Sequence, residues 1–570
     1  MRTAGTALIE ALHEAGVSYI FANFGSDHPA IVESLAEAKA TGRPAPMLIT
    51  CPNEMVALSA AHGFAQVTGR AQAVLVHVEC GTQALAGALH NAAKGRIPAL
   101  IFAGASPFTQ EGEMRGSRNE YVQWIQDVFD QRGLVRGYVK YDNEIRTGKN
   151  IKQMVHRALQ FAHSDPKGPV YLMAAREVME EETPPVAVNQ SHWPPLAPCA
   201  VSPAGIGEIA KDLLMAERPL VVTSYLGRNP QAVEELIRLC RRFAVGVLES
   251  VPNYVNFPAD DPLYQGNQWG EARQNCALDE ADFVLVIDSD VPWIPIINKP
   301  RRDAVIYQID VDPLKEQMPL WQIPARRVFR ADAATALRQL NERLEDAGID
   351  KTRVESRLAH YAAMSESRRQ DLLQAEAPKS DAITPEYLTA CVRRHIDQDT
   401  IILNEGITNF QTITNHLGAL RPGQAFTSGG VSLGWNGGAA IGIKLACPDK
   451  TVICLTGDGS YMFSVPSSVH WIARRYQTPF LQVIYNNRGW KAPKLSTLAI
   501  YPDGYASRDD DQGFKFDPPP DYSGIAAAAG DAHARVVRRP EELNPALAEA
   551  LVAVRQEHRC AVLDVWLPHL

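Results

Sequence analysis

The sequence contains no uninterrupted apolar run of the roughly 18 residues that would predict a membrane-spanning helix. The apolar pattern at the N-terminus includes Glu10, His13 and Glu14, so it predicts an amphipathic helix rather than a signal peptide. There is no excess of basic residues, and the formal net charge of −9 does not indicate a basic surface that would bind nucleic acid or an acidic membrane. The nine cysteines include no Cys-x-x-Cys pair, so we expect reduced thiols in a cytoplasmic protein.

What the sequence does contain is an alternation of helical patterns with short apolar runs such as AQAVLVHVE and TVICLTGDG. Such runs are typical of strands buried on both faces of a parallel sheet. A length of 570 residues is enough for about three or four domains. Two polar, proline-containing stretches divide the chain into segments 1–183, 200–345 and 375–570. We therefore predict an α/β fold of three doubly wound parallel-sheet domains.

An acid between two glycines, Gly457-Asp458-Gly459, follows one apolar run, and Asn486-Asn487 follows the next. A right-handed crossover brings these two strand ends together, so a carboxylate and a carboxamide share one oxygen-rich pocket. Mg²⁺ prefers such ligands and usually keeps phosphate oxygens in its shell. Gly459 lets backbone N–H groups approach a phosphate, and Ser460 adds a hydroxyl. The alternative interpretation is an ordinary turn and a helix-start loop.

This pair of motifs resembles the thiamine-diphosphate motif of the acetolactate synthase, pyruvate decarboxylase and benzaldehyde lyase superfamily. The resemblance implies that Asp458, Asn487 and the backbone carbonyl of Gly489 hold the Mg²⁺ that binds the cofactor's diphosphate, with Trp490 as a further cofactor contact. The spacing is slightly longer than in the family, which we attribute to the helix after Ser464. The resemblance covers essentially the whole chain, in the order pyrimidine-binding, middle and diphosphate-binding domain.

Thiamine chemistry also needs a carboxylate hydrogen-bonded to N1′ of the aminopyrimidine, best in an apolar pocket that raises its pKa. The stretch PNEMVALSAAHGFAQVTGR places Glu54 at a strand end before a helix of small residues. It resembles the family element that carries the activating glutamate, although Asn53 stands where a histidine is usual. The resemblance implies that Glu54 activates the cofactor, whereas an isolated glutamate here would be interpreted as a favourable charge at a helix N-terminus.

Two glycine-containing stretches are expected to complete the cofactor pocket. FTSGGVSLGWNGG lacks the full G-x-G-x-x-G fingerprint of dinucleotide-binding loops, and it resembles the family turn that supports the bent cofactor. The resemblance puts Leu433 beneath the cofactor and the Val431 carbonyl against its 4′-amino group. IILNEGITN resembles the diphosphate-side loop, in which Glu405 is either a catalytic acid or a solvated loop acid. The cofactor contacts expected from this loop are Gly406, Ile407 and Thr408.

Two residues are expected to face the substrate. His28 lies where benzaldehyde lyase has an active-site histidine, and Gln126 lies where several relatives have a substrate-side glutamine. The alternatives are a capping histidine and a surface glutamine. Lys491 and Lys494, which begin the long loop after the metal motif, face an anionic substrate or are plain surface charges.

The resemblance predicts thiamine-diphosphate-dependent decarboxylation of a 2-oxo acid with carboligation. The alternative, favoured by His28 and the NEG loop, is a C–C bond lyase acting on 2-hydroxy ketones or 2-hydroxyacyl-CoA. A non-catalytic cofactor-binding relative is disfavoured because Glu54 and Asp458 are both present. An NAD-dependent dehydrogenase is disfavoured by the incomplete fingerprint.

In the family the site forms between two subunits, with Glu54 of one chain near the Asp458 site of the other. The resemblance therefore implies a homodimer at minimum and a homotetramer as the expected assembly. We expect a small-molecule carbonyl substrate and no nucleic-acid or membrane partner. FAD in the middle domain is disfavoured, because VTSYLGRNPQAVEEL has only one glycine after its strand.

Overall fold

The computed structural model describes residues 2–269, 273–509 and 511–569. Within them the chain forms three six-stranded sheets flanked by helices, and every strand pair in these sheets is parallel. The predicted α/β fold of three doubly wound parallel sheets is therefore confirmed. None of the helices in the described part of the chain combines the length and the hydrophobicity needed to cross a bilayer.

The first sheet is built from short apolar strands such as AVLV, which is buried along its whole length. Its strands are β1 (Tyr19–Ala22), β2 (Met47–Thr50), β3 (Ala73–Val76), β4 (Ala99–Ala105), β5 (Tyr141–Glu144) and β6 (Pro169–Ala175). The helices around it are α1 (Ala4–Glu14), α2 (Pro29–Thr41), α3 (Glu54–Thr68), α4 (Val78–Ala84), α5 (Ala86–Lys94), α6 (Val122–Ile125), α7 (Ile151–His163) and α8 (Arg176–Met179). The strand order is β2-β1-β3-β4-β6-β5.

The second sheet repeats this architecture. Its strands are β7 (Pro219–Thr223), β8 (Gly246–Glu249), β9 (Tyr264–Asn267), β10 (Phe283–Ile287), β11 (Val305–Asp310) and β12 (Arg327–Arg330). Its helices are α9 (Pro203–Met215), α10 (Pro230–Phe243), α11 (Cys276–Glu280) and α12 (Ala333–Arg343), and the long helix α13 (Lys351–Ala375) follows. The strand order is β12-β11-β10-β7-β8-β9.

The third sheet carries both halves of the predicted metal motif. Its strands are β13 (Thr400–Glu405), β14 (Ala425–Phe426), β15 (Thr451–Gly457), β16 (Leu481–Asn486), β17 (His533–Val537) and β18 (Ala561–Trp566). Its helices are α14 (Pro385–Arg393), α15 (Phe410–His416), α16 (Asn436–Ala446), α17 (Asp458–Phe463), α18 (Pro466–Arg475), α19 (Lys491–Ile500), α20 (Tyr522–Gly530) and α21 (Pro540–Arg555). The strand order is β14-β13-β15-β16-β18-β17.

Doubly wound sheets bind ligands at the carboxyl ends of the two strands between which the chain order reverses. These pairs are β1 and β3 in the first sheet, β7 and β10 in the second, and β13 and β15 in the third. The loops after these six strands are therefore where functional side chains are expected.

Helices α3 and α16 join the first and third domains through direct backbone contact. A Cβ atom added to Gly63 would lie 2.2 Å from the carbonyl oxygen of Ala439. One added to Gly442 would lie 1.8 Å from the carbonyl oxygen of Ala60. Only glycine allows this close approach, because any side chain would push the helices apart.

Candidate active site

Asp458 and Asn487 lie at the carboxyl ends of two neighbouring strands of the third sheet. Asp458 is the first residue of α17, directly after β15, and Asn487 follows β16. The Asp458 carboxylate accepts the N–H of Gly459 at 2.9 Å and the N–H of Gly489 at 3.0 Å. The hydrogen bond from Gly489 ties the two loops together, so the residues predicted to bind the metal are neighbours.

The polar groups of these loops lack a cationic partner. Asp458 is 4% exposed, and burial raises the pKa of its carboxyl to about 6. Among the described residues, no cationic side chain forms an ion pair with it, and Oδ1 of Asn487 is buried without a hydrogen-bond partner. A divalent cation bound by an Asp458 carboxylate oxygen and by Oδ1 of Asn487 would neutralise the carboxylate and give the amide oxygen a partner. The residues present therefore fit the predicted Mg²⁺ site.

Trp490 closes one side of this site. A Cβ atom on Gly459 would lie 2.2 Å from Cζ3 of Trp490, so the indole packs directly on the Gly459 backbone. The rings of Phe463 and Phe516 contact the indole edge to face, with centroids 5.9 and 5.0 Å away. Only a glycine at position 459 therefore allows the Trp490 side chain, which follows β16, to pack this closely on the start of α17.

Gly457 lies close to the loop after β13. The atoms nearest to a Cβ placed on Gly457 are the carbonyl oxygen of Gly406 at 3.9 Å and Oγ of Ser460 at 4.0 Å. Gly406 begins the loop after β13, in which Ile407 has a left-handed backbone (φ +49°) and Thr408 is exposed. The strand order thus brings Gly406 and Ser460, two residues predicted to contact the diphosphate, close to Gly457.

Glu405 is buried, so its interpretation as a solvated loop acid is wrong. Its carboxylate accepts the backbone N–H groups of Gly434 (2.5 Å), Trp435 (3.1 Å) and Asn436 (2.9 Å) at the start of α16. Burial raises the pKa of this carboxyl to about 7 in spite of the three hydrogen bonds. Glu405 therefore fixes the helix start that follows the predicted cofactor turn.

In that turn, Val431 is 44% exposed and has a left-handed backbone with φ +61°. Leu433 is half-buried two residues later, just before α16. The positions predicted to contact the cofactor thus lie in a loop that turns sharply between β14 and α16.

On the first sheet, Glu54 is the first residue of α3, and Asn53 caps this helix by accepting the N–H of Val56. The Glu54 carboxylate accepts a hydrogen bond from Nδ2 of Asn23 at 2.8 Å, and Asn23 follows β1. Within the residues that the structure describes, no hydrogen bond or ion pair joins Glu54 to Asp458.

A cluster of polar side chains surrounds the ends of β1 and β3. Nδ1 of His77 lies 2.6 Å from Oδ1 of Asp27, and Nε2 of His77 lies 3.0 Å from Oε1 of Gln126. The backbone N–H of Val78 donates to the other Asp27 oxygen at 3.1 Å. Asp27 is buried, which by itself would raise its pKa, but His28 and His77 hold the pKa of Asp27 well below its usual range.

The two ring nitrogens of His77 thus face different partners, the Asp27 carboxylate at Nδ1 and the side-chain amide of Gln126 at Nε2. Its hydrogen bond to Asp27 raises the pKa of His77. His28 is only 1% exposed, with Nδ1 2.9 Å from Asp27. His77 is therefore the histidine that reaches the open side of this cluster, next to Gln126.

Three family models match the chain. They are described as thiamine pyrophosphate enzyme, N-terminal TPP binding domain (residues 2–134), central domain (206–344) and C-terminal TPP binding domain (406–565). The chain belongs to the thiamine pyrophosphate enzyme family. The resemblance seen in the sequence is confirmed, and the protein is a thiamine-diphosphate-dependent enzyme with a cofactor-binding domain at each end.

Individual members of this family are distant in sequence. The chain is 23% identical over 559 residues to the acetolactate synthase large subunit of Haemophilus influenzae, covering 95% of this chain and 91% of that protein. It is 24% identical over 574 residues to the sulfoacetaldehyde acetyltransferase of Rhodobacter capsulatus, covering 96% and 92%. The thiamine diphosphate-dependent 4-hydroxybenzoylformate decarboxylase of Rhodococcus jostii has the same fold, with a TM-score of 0.77, 21% identity and 100% and 99% coverage.

In this thiamine pyrophosphate enzyme the strand ends of the middle sheet are occupied by ion pairs. Arg96 of the first domain donates to Asp290 at 2.8 Å and lies 3.0 Å from Asp310, and Lys315 lies 2.6 Å and 2.7 Å from the same carboxylates. All four side chains are buried. A cavity of about 520 Å³ opens beside them, lined by the first and second domains. That FAD is disfavoured stays a prediction, and these ion pairs lie at the edge of the sheet where a nucleotide would bind.

Asp27 and His77 were not predicted as site residues from the sequence. Their only signal is position, since each follows a strand that borders the reversal point of the first sheet. Gln126, which was predicted, contacts His77 from the segment after β4.

Proposed function

We propose that this enzyme decarboxylates a 2-oxo acid and transfers the remaining acyl unit to a carbonyl acceptor. In this proposal Asp458, Asn487 and the carbonyl of Gly489 bind Mg²⁺, and Glu54 contacts the aminopyrimidine. The remaining cofactor contacts are Gly406, Ile407, Thr408, Val431, Leu433, Gly459, Ser460 and Trp490. When bound, thiamine diphosphate supplies a carbon nucleophile that adds to the carbonyl group and takes up the electron pair released with CO₂.

The observation that carries the proposal is the position of His77 between Asp27 and Gln126 at the open side of this cluster. A 2-oxo acid brings a carboxylate and a carbonyl oxygen to the site, and a histidine is able to orient such oxygens through an N–H donor. Nε2 of His77 lies 3.0 Å from the Gln126 side chain in the present structure, and in this proposal a substrate oxygen takes the place of Gln126. The hydrogen bond to Asp27 raises the pKa of His77, which favours the protonated form that donates to an oxygen gaining negative charge.

The relatives support the same class of chemistry. Acetolactate synthase and sulfoacetaldehyde acetyltransferase are named for joining or transferring small acyl units, and the solved relative is named for decarboxylating an aromatic 2-oxo acid. The common features of these names are a small carbonyl substrate and an acyl unit held between two steps.

We also propose that the working site needs two copies of the chain. Membership of the thiamine pyrophosphate enzyme family supports this proposal, because one TPP binding domain carries Glu54 and the other carries Asp458. In a homodimer, Glu54 of one copy would meet the metal site of the other. A homotetramer of two such dimers is the proposed assembly.

The test is a product screen by mass spectrometry with Mg²⁺ and thiamine diphosphate. The substrates are pyruvate, longer and aromatic 2-oxo acids, benzoin-type ketols and 2-hydroxyacyl-CoA thioesters. We expect CO₂ together with a new ketol from one of the 2-oxo acids. Loss of this activity in His77→Phe, with retention in Glu33→Gln on the exposed face of α2, would tie the reaction to His77.

Two other outcomes contradict the proposal. Release of an aldehyde from a ketol or an acyl-CoA without CO₂ would identify a C–C bond lyase. Cofactor binding without turnover of any substrate would leave the cofactor site in place but reject this reaction class.

A further inference from the structure

The loop from Thr427 to Leu433 is held by side chains from outside its own domain. The side chain of Asn91, on α5 of the first domain, binds the backbone N–H and the backbone carbonyl of Ser432. The Ser432 N–H donates to Oδ1 at 2.9 Å, and Nδ2 donates to the Ser432 carbonyl at 2.8 Å. Asn91 is 1% exposed and Ser432 is half-buried, so these two hydrogen bonds are partly buried.

Neighbouring contacts hold the same loop against α5. Nε2 of His90 donates to the Gly430 carbonyl at 2.8 Å. A Cβ on Gly430 would lie 2.7 Å from Oδ1 of Asn91, and one on Gly429 would lie 2.4 Å from Cα of Gly95. The loop backbone therefore rests directly on the helix of the other domain.

Val431 shows why this support matters. A β-branched residue with φ +61° is a conformational outlier that persists only when its surroundings impose it. Its side chain is largely exposed and provides little packing. Its own N–H donates to Oγ of Ser428 at 3.0 Å, which is a bond within the loop. The restraint from outside the loop is the hydrogen bond from the Ser432 N–H to Asn91, which fixes the peptide group that carries the Val431 carbonyl.

We infer that Asn91 is a positioning residue that holds Val431 in its left-handed conformation and thereby presents the Val431 carbonyl and Leu433 to the cofactor. The inference rests on the proposed cofactor role of this loop. Without the Asn91 amide, Val431 relaxes to negative φ and its carbonyl turns away. The site around Asp458 lies on other loops and keeps its structure.

The first measurement is the affinity for thiamine diphosphate with saturating Mg²⁺ and no substrate, followed by quenching of tryptophan fluorescence. Two lost hydrogen bonds predict that Asn91→Ala weakens binding roughly tenfold to a hundredfold. The matched control is Asn341→Ala. Asn341 is a buried asparagine whose Nδ2 donates to the carbonyl and the carboxylate of Glu235 in the middle domain. We expect this control to leave the affinity within about twofold.

A double mutant separates positioning from general stability. Glycine adopts positive φ without strain, so Val431→Gly removes the need for the restraint while keeping the carbonyl. In that background we expect Asn91→Ala to cost at most about threefold in affinity. An equal loss in both backgrounds would show that Asn91 acts only on overall structure and would overturn the inference.

Unchanged affinity in Asn91→Ala would also overturn it. If Asn91→Ala does not fold, His90→Phe keeps an aromatic ring and removes only the bond to Gly430, so a loss of about threefold to tenfold is expected and no loss refutes the inference. Failure of the unaltered protein to bind the cofactor would instead reject the proposed function.

Discussion

The burial of Asp458 predicts that the metal site destabilises the cofactor-free protein. Its pKa of about 6 lies above the ordinary value of about 3.9 for aspartate. The folded state therefore binds the proton more tightly than the unfolded state, and stability is lost as the pH rises from about 4 to about 6. At pH 7.5 the ionised carboxylate lowers the free energy of unfolding by about 3 kcal/mol.

Asp458→Asn removes this ionisation. The Oδ1 of asparagine accepts only one of the two N–H groups of Gly459 and Gly489 that Asp458 accepts, which costs about 1 kcal/mol. The net effect is a stabilisation of the cofactor-free protein by about 2 kcal/mol at pH 7.5, or about 4–8 °C for a domain of this size. At pH 5 the gain is about 1 kcal/mol smaller, because most of the wild-type carboxyl is then protonated in the folded state.

Differential scanning calorimetry at pH 5 and pH 7.5, with and without Mg²⁺ and thiamine diphosphate, measures both effects. The cofactor should raise the unfolding temperature of the wild type and not that of Asp458→Asn. The control is Asp449→Asn, an exposed aspartate of the same domain. A variant that keeps Mg²⁺-dependent stabilisation would refute the metal assignment. An unfolding-temperature shift that is equal at the two pH values would refute the electrostatic reasoning.

Three further predictions test the rest of the site. Glu54→Gln should keep the fold and most cofactor affinity but lose turnover by about a hundredfold or more, because an amide does not act as a general acid or base as a carboxyl group does; near-normal C2 proton exchange, measured by NMR, would contradict this. Asp27→Asn should lower the pKa of His77, because it removes the hydrogen bond that raises it. The alkaline limb of the pH–rate profile should then move to lower pH, and an unmoved limb would reject the link. Gly459→Ala should drive a Cβ into Trp490 and weaken Mg²⁺-dependent cofactor binding. Adding Trp490→Ala should recover part of that binding, and normal binding by Gly459→Ala alone would contradict the close contact.

The fold was predictable because its signals are local. Continuous apolar runs indicate strands of parallel sheets, and right-handed crossovers bring the ends of successive strands together. The same rule predicted, without any knowledge of side-chain packing, that Asp458 and Asn487 lie at one edge of the third sheet. Their sequence separation matters little, since each is positioned by the strand that precedes it.

Residues whose role depends on a distant partner were not predictable in this way. His77 has no spacing signature, and it meets Asp27 only because β3 pairs with β1 in the register that joins Ile20 to Ala73. Glu405 looks like an ordinary loop acid in the sequence. Its burial depends on backbone N–H groups at the start of α16, which the strand pattern does not indicate.

The direct backbone contact between α3 and α16 also determines where the enzyme is able to move. Two helices that already touch through glycine have no free space between them, so this contact opposes movement of the first domain relative to the third. Motion that admits substrate must then come from segments with few buried contacts. None of the residues of α19 is buried, and Tyr505 in the following turn is almost fully exposed. We therefore expect opening and closing of this short surface segment, rather than domain closure, to limit the slow steps of turnover.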